Sequence, residues 1–204
     1  MLFSRSKSGF LERRETPIIL IKSVEKLFIN LHIQSTNMIH LTYRNADFTD
    51  LNKIVEIYNS TIASRMVTAD TETVSVESKE KWFDEHNAEK RPLWVIENEQ
   101  NEIIGWVSFQ SFYGRPAYDA TVEISIYLDE NQRGKGLGKH VLGYCINEAP
   151  KYGIKTLLGF IFTHNEPSLK LFRNFGFEDW GTLPDIATLD GKEYGLKILG
   201  KRLS

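Results

Sequence analysis

The chain has 204 residues, 41% of them hydrophobic, and sets 25 Lys and Arg against 27 Asp and Glu for a net charge of −2. That length suits one domain with an appendage, and the balanced charge excludes a general electrostatic nucleic-acid binder. The single cysteine, Cys145, excludes an intrachain disulfide and a cysteine zinc cluster and fits a reducing compartment.

Residues 1–37 read as an N-terminal extension. MLFSRSKSGFLERRETP is basic and polar, and the apolar run after it is interrupted by Lys22, Glu25 and Lys26. No part of it is long enough to span a bilayer, and the piece before Lys22 is short for a signal core, so a cytoplasmic protein without membrane attachment is expected. Met38 is read as the start of the folded domain, 38–204, with the extension an upstream start or a disordered leader. Leu41 and Tyr43 predict a short strand. Leu51, Ile54, Val55 and Tyr58 then recur at helical spacing, with Thr49 as the expected N-cap and Asp50 in the first turn. A second helix is predicted over Val76 to His86, with Trp82 and Phe83 inward. PLWVIEN and IIGWVSFQ around the polar EQNE predict a hairpin. The loop SFYGRPAYDA leads to a strand, TVEISIYL, at 121–128. Next come the glycine-rich NQRGKGLGKH at 131–140, a helix ended by Pro150, the strand IKTLLGFIF, and a helix over EPSLKLFRNF stopped at Gly176. Asp190-Gly191 predicts a tight hairpin near the end. The sum is mixed α and β on one sheet, with helices between strands after residue 121.

Glycines at 134, 136 and 138 tolerate positive φ and leave N–H groups unscreened just before a helix, a natural anion site to which Arg133, Lys135 and Lys139 add charge. The competing reading is a solvated glycine turn. No window supplies a Walker loop, and the glycine spacing of two and two does not match a dinucleotide fingerprint. What remains, strand, turn, glycine-rich basic loop and helix, resembles the acyl-CoA-binding motif of the Gcn5-related N-acetyltransferases, Gln/Arg-x-x-Gly-x-Gly/Ala. Arg133-Gly134-Lys135-Gly136-Leu137-Gly138 fits it, and HNEPSLKLFRNFGFE at 164–178 is similar to the family's later motif. The resemblance implies an α/β (α+β) fold, a central mixed, mostly antiparallel twisted sheet flanked by helices, and acetyl-CoA as co-substrate. It implies that residues 133–139 receive the diphosphate of coenzyme A, that the backbone of Ile126, Tyr127 and Leu128 pairs with the pantetheine arm, and that Asn165 and Ser168 contact it. Core packing for 126–128 and a helix-start role for Asn165 remain open beside these.

Acetyl transfer to an amine needs a neutral amine, a polarised thioester and a proton route to the thiolate, with no enzyme nucleophile. Cys145, inside a predicted helix, is read as packing. Glu123 interrupts an apolar and hydroxyl-bearing strand and is the candidate base. By alternation alone Thr121, Glu123 and Ser125 share one side, which equally fits a solvent-facing carboxylate. Residues 57–75 and 112–128 resemble the phosphinothricin acetyltransferase branch, which acetylates small amino acids and analogues such as methionine sulfoximine and sulfone. In that branch the Glu of Thr-x-Glu-x-Ser-x-Tyr, here Glu123, is the proposed base. Phe112, Arg115 and Tyr118 fall where the branch binds substrate, and an Arg fork suits a carboxylate or phosphinate.

Two departures stand out. Phe172 occupies the position at which many relatives carry a proton-returning Tyr, leaving water or Tyr118 to serve, or the thiolate to leave unassisted. Val67 and Ala69 in SRMVTADTE replace a phenylalanine-containing stretch. His86, His140 and His164 lack metal spacing, so no metal site is assigned. The alternatives are acetylation of a protein N-terminus or polyamine, or a non-catalytic acetyl-CoA-binding module. The resemblance also implies a homodimer.

Overall fold

Strict alternation along the central strands sends neighbouring side chains to opposite faces of one sheet, and both faces are covered. The computed structural model describes residues 40–203; the readings of 1–37 as an extension and of Met38 as the domain start lie outside them. Seven strands, β1 (Thr42–Asn45), β2 (Leu93–Glu97), β3 (Ile103–Ser111), β4 (Thr121–Leu128), β5 (Thr156–Phe162), β6 (Glu178–Leu189) and β7 (Lys192–Arg202), lie in the order β1-β2-β3-β4-β5-β7-β6. Every neighbouring pair is antiparallel except β4 and β5, which is the mixed, mostly antiparallel sheet expected. The flanking helices are α1 (Leu51–Ile62), α2 (Val76–Asp84), α3 (Leu137–Glu148) and α4 (Glu166–Asn174).

One face carries Trp94, Ile96, Val107, Phe109, Val122 and Ile124 against Val141, Leu142 and Cys145 of α3 and Leu169 and Phe172 of α4. The other carries Leu93, Val95 and Trp106 against Leu51, Ile54, Val55 and Ile57 of α1, with Trp82 and Phe83 of α2 half-buried beside them. Cys145 is fully buried, so the packing reading holds for it. The Asp190-Gly191 turn joins β6 to β7 with φ of 51° and 76°, the paired positive angles of the tight hairpin its sequence predicts.

Three local expectations are corrected. Thr49 is not the N-cap: a 3-10 turn at Phe48–Asp50 leads into α1, and the Asp50 carboxylate accepts the Asp47 N–H at 2.7 Å. The Arg44 guanidinium at 2.7 Å holds Asp50 below the usual carboxylate range. The second helix ends at Asp84, two residues before His86, whose Nδ1 is bonded to the Trp82 carbonyl at 2.8 Å. Pro150 opens a 3-10 turn, Ala149–Tyr152, and the turn stops at Gly153 with φ 71°; proline needs no N–H partner in a first turn.

The parallel ladder between β4 and β5 has only three pairs, Thr121 with Thr156, Val122 with Leu157 and Glu123 with Leu158. Beyond Glu123 the strands part, β4 staying with β3 as far as Leu128 and β5 with β7 as far as Phe162. The β5 side of β4 from Ile124 to Leu128 therefore has no strand partner among the described residues.

Candidate active site

At the end of β4 the chain turns through Glu130–Gln132 into the glycine loop and α3. Gly134 and Gly136 have φ of 76° and 77°, and a Cβ at either would meet no atom within 4 Å. Among the described residues, no protein group accepts the N–H of any residue from 134 to 138. Left-handed glycines followed by the start of a 12-residue helix thus leave a run of open donors with the helix dipole behind them. Leu137 is buried in the core and Gly138 lies against Leu171, so these two seat the helix. Arg133, Lys135 and Lys139 are exposed around the loop, with Lys135 Nζ donating to Gln132 Oε1 at 2.9 Å. This donor set fits a diphosphate, and the free edge of β4 at Ile126, Tyr127 and Leu128 fits an extended, amide-bearing arm. Side chains of Ile126 and Leu128 pack on the core, which leaves their backbone for that contact.

Asn165 caps α4: its Oδ1 accepts from Ser168 N–H at 3.2 Å and its Nδ2 donates to the Met66 carbonyl at 2.9 Å. Both ends of its amide are thus engaged within the chain, and its side chain is a structural tie between α4 and the segment after α1. Ser168 sits half-buried in the first turn of α4.

On the sheet face toward α1 and α2 lies a cavity of about 220 Å³, lined by Glu123, Ser125 and Tyr127 of β4, Trp106, Ser108 and Gln110 of β3, Ile54, Val55 and Tyr58 of α1, and Lys79 and Trp82 of α2. The β3–β4 register sets Trp106 opposite Tyr127, Ser108 opposite Ser125 and Gln110 opposite Glu123. The floor therefore runs from aromatic through hydroxyl to carboxylate and amide. Trp106 and Tyr127 stack at 4.4 Å, and Tyr58 and Trp82 close the aromatic end. Glu123 is the last residue of the β4–β5 ladder, at the point where the strands part. Burial pushes its carboxyl above the usual range, with the Ser125 hydroxyl partly opposing. Tyr127 is pushed up by burial and stays a phenol. The Tyr58 hydroxyl, bonded to Asp70 and Thr68 at 2.5 Å, is pushed up to about 12 by burial and the Asp70 carboxylate.

Phe112, Arg115 and Tyr118 do not line this cavity. They line a second hollow of about 250 Å³ with Lys90, Arg91, Ser111 and Asp119; Gln110 of the first cavity and Ser111 of the second are successive residues of β3 and point to opposite faces. Arg91 and Lys90 are occupied there by Asp119 at 3.2 and 2.8 Å. Tyr118, considered as a proton source, is on this outer loop, and Phe172 is buried against Gly159. Tyr58, Lys79, Trp106, Ser108 and Gln110 join the site only in the fold; the polar Ser108 and Gln110 inside an apolar strand are the signal the sequence offers for them. Among the described residues, no group of three or more His, Cys, Asp or Glu is placed to hold a metal.

Comparison with known proteins identifies relatives of the whole fold. The family model described as acetyltransferase (GNAT) family matches residues 54–177. YwnH of Bacillus subtilis (strain 168), whose name assigns it phosphinothricin acetyltransferase activity provisionally, is 56% identical over 80% of this chain and 100% of its own length. An L-methionine sulfoximine/L-methionine sulfone acetyltransferase of Pseudomonas paraeruginosa (strain DSM 24068 / PA7) is 30% identical over 76% of this chain and 91% of its own. The crystal structure of a GNAT superfamily phosphinothricin acetyltransferase from Sinorhizobium meliloti in complex with acetyl-CoA superposes with a TM-score of 0.75 at 27% identity, covering 80% of this chain and 89% of that one.

Proposed function

Because the chain belongs to the acetyltransferase (GNAT) family, we propose that it transfers the acetyl group of acetyl-CoA to the α-amine of a small amino acid or analogue of the phosphinothricin, methionine sulfoximine or methionine sulfone type. The observation that carries this reading is Glu123, half-buried in an aromatic cavity and standing where β4 and β5 part. Acetyl-CoA supplies the activated acyl group. The loop amides of residues 134–138, with Arg133, Lys135 and Lys139, hold its diphosphate, and the free backbone edge at 126–128 aligns its arm so that the thioester reaches the Glu123 end of the cavity. Glu123 takes a proton from the substrate ammonium, directly or through water, and the neutral amine attacks. A carboxylate with a raised pKa is a better base for an ammonium than one in water. A substrate contact for Phe112, Arg115 and Tyr118 requires their loop to turn toward the cavity, since they line a separate hollow. With Phe172 unable to donate, the departing thiolate takes its proton from water.

The same reading includes a homodimer acting in the cytoplasm, in keeping with a lone, buried thiol at Cys145. Free-thiol release from acetyl-CoA tests the whole reading against methionine sulfone, methionine sulfoximine, phosphinothricin, a polyamine and an N-terminal peptide. Saturable turnover on the first three is expected. Turnover confined to the polyamine or peptide would overturn the substrate class, and binding of acetyl-CoA without transfer to any amine would reduce the protein to a binding module.

A further inference from the structure

We infer that Lys79 recognises an anionic side-chain tip of the amine substrate from the opposite end of the cavity to Glu123. This deepens the small-amino-acid reading and rests on it.

Lys79 belongs to α2 and reaches the cavity from the side opposite the sheet. Its Nζ lies 4.5 Å from the ring centroid of Tyr58 and 5.9 Å from that of Trp82. Among the described residues it makes no ion pair and no hydrogen bond, and Glu77 and Glu80 of its own helix leave it free. By contrast Arg44, Lys53, Arg65, Lys90 and Arg91 all have carboxylate partners. A half-buried ammonium over aromatic faces is attracted to the rings, yet its donors stay unmatched.

The cavity gives it a direction. Tyr58 leans on Tyr127 at 5.1 Å, so Lys79 caps the aromatic end of the floor. Glu123 is four residues away from Tyr127 on the same face of β4, about 13 Å along the strand. One end of the cavity therefore offers a cation and the other a carboxylate. A substrate placed between them turns its α-ammonium toward Glu123 and a distal side-chain oxyanion toward Lys79, because its α-carboxylate shares a carbon with the ammonium and cannot reach across. The aromatic walls exclude water and strengthen both contacts. The volume, about 220 Å³, suits a ligand of amino-acid size. The ammonium also repels a second positive charge, which turns diamines and polyamines away.

The test compares the wild type with Lys79→Met, which keeps the stem and removes the charge, and Lys79→Arg, which restores the charge. The substrates are phosphinothricin, methionine sulfone and the α-carboxamide of methionine sulfone. Lys79→Met is expected to lower kcat/KM for the recognised oxyanion by about 10–100-fold through KM, with kcat and the KM for acetyl-CoA near wild type, and Lys79→Arg to recover part of it. A collapsed acid-to-amide preference would set Lys79 beside the α-carboxylate, at the amine end, and overturn the inference. A collapsed preference for phosphinothricin over the sulfone identifies the side-chain phosphinate. If Lys79→Met keeps both ratios at the wild-type value while the wild type turns over, this inference fails alone. If the wild type turns over none of the three, the small-amino-acid reading fails and takes the inference with it.

Discussion

Glu123 shows how one residue's environment sets both activity and stability. Its carboxyl is pushed up by burial, so the folded chain binds that proton more tightly than the unfolded chain does. The base form is lost as pH falls through the raised pKa, so the acid limb of kcat/KM should lie above the usual glutamate value of about 4.3. Glu123→Gln is expected to lower turnover at least ~100-fold with coenzyme affinity within ~2-fold, read by thiol release and by calorimetric titration. Unchanged turnover would remove Glu123 from the base role. The stability sign follows from the same shift. A carboxyl with a raised folded pKa contributes stability below its unfolded pKa and loses it as pH rises through the folded value. At pH 8 the native glutamate is therefore a cost that glutamine lacks, and Glu123→Gln should raise Tm more at pH 8 than at pH 4. Such a trade between site and stability is common where a charge is held in a cleft. A variant that melts lower at pH 8 would mean the cavity is wetter than its lining suggests.

Elements were legible in the sequence wherever a local rule governs them. The 121–128 strand, the hairpin around EQNE and the Asp190-Gly191 turn all form as read, because alternation and turn chemistry act over a few residues. Pairing between distant strands has no such local signal, so the early end of the β4–β5 ladder at Glu123 could not be read from TVEISIYL or IKTLLGFIF alone. The glycine loop lies between these cases: its flexibility was legible, its open amides only in three dimensions. It also separates the roles of its glycines. Gly134→Ala and Gly136→Ala force an L side chain to φ near 76°, a strain of about 1–2 kcal/mol, and bend the amides away from a common anion. Each should weaken coenzyme A binding by ~10-fold or more. Gly138→Ala has no positive φ to satisfy; it needs only a shift of Leu171 from 3.1 Å, and alanine favours the helix. Its coenzyme A affinity should fall less than in the other two variants, and a calorimetric series across all three decides it.

Across the whole molecule the two parts of the site share β4, the cavity on one of its faces and the glycine loop beyond its end, and the segment between α1 and α2 ties the cavity to α4 and the β6–β7 turn. Arg65 in that segment donates to Asp190 of the β6–β7 turn at 2.8 and 3.0 Å and to the Thr71 carbonyl at 2.9 Å. Its own carbonyl is bonded to His164 at 2.7 Å, and the next carbonyl, of Met66, accepts from Asn165. Tyr58 and Tyr127 of the cavity bond to Thr68, Asp70 and the Val67 carbonyl of the same segment. None of this was legible in SRMVTADTE, where the absence of a phenylalanine pointed to pocket shape and gave no sign of a brace. Lys79 was equally hidden, one charge among several on the polar helix VESKEKWFD, because only the fold turns it inward. Asn165 is where the brace can be tested. Asn165→Asp keeps an acceptor for the Ser168 N–H and removes the donor to Met66, whereas Asn165→Ala removes both. The cap alone is worth about 0.5–2 kcal/mol, so Asn165→Ala should melt below Asn165→Asp. If the tie to Met66 holds the aromatic wall in place, both variants raise KM for the amine by a similar factor, whatever their difference in Tm. An amine KM that follows Tm across the pair would mean that Asn165 serves α4 alone.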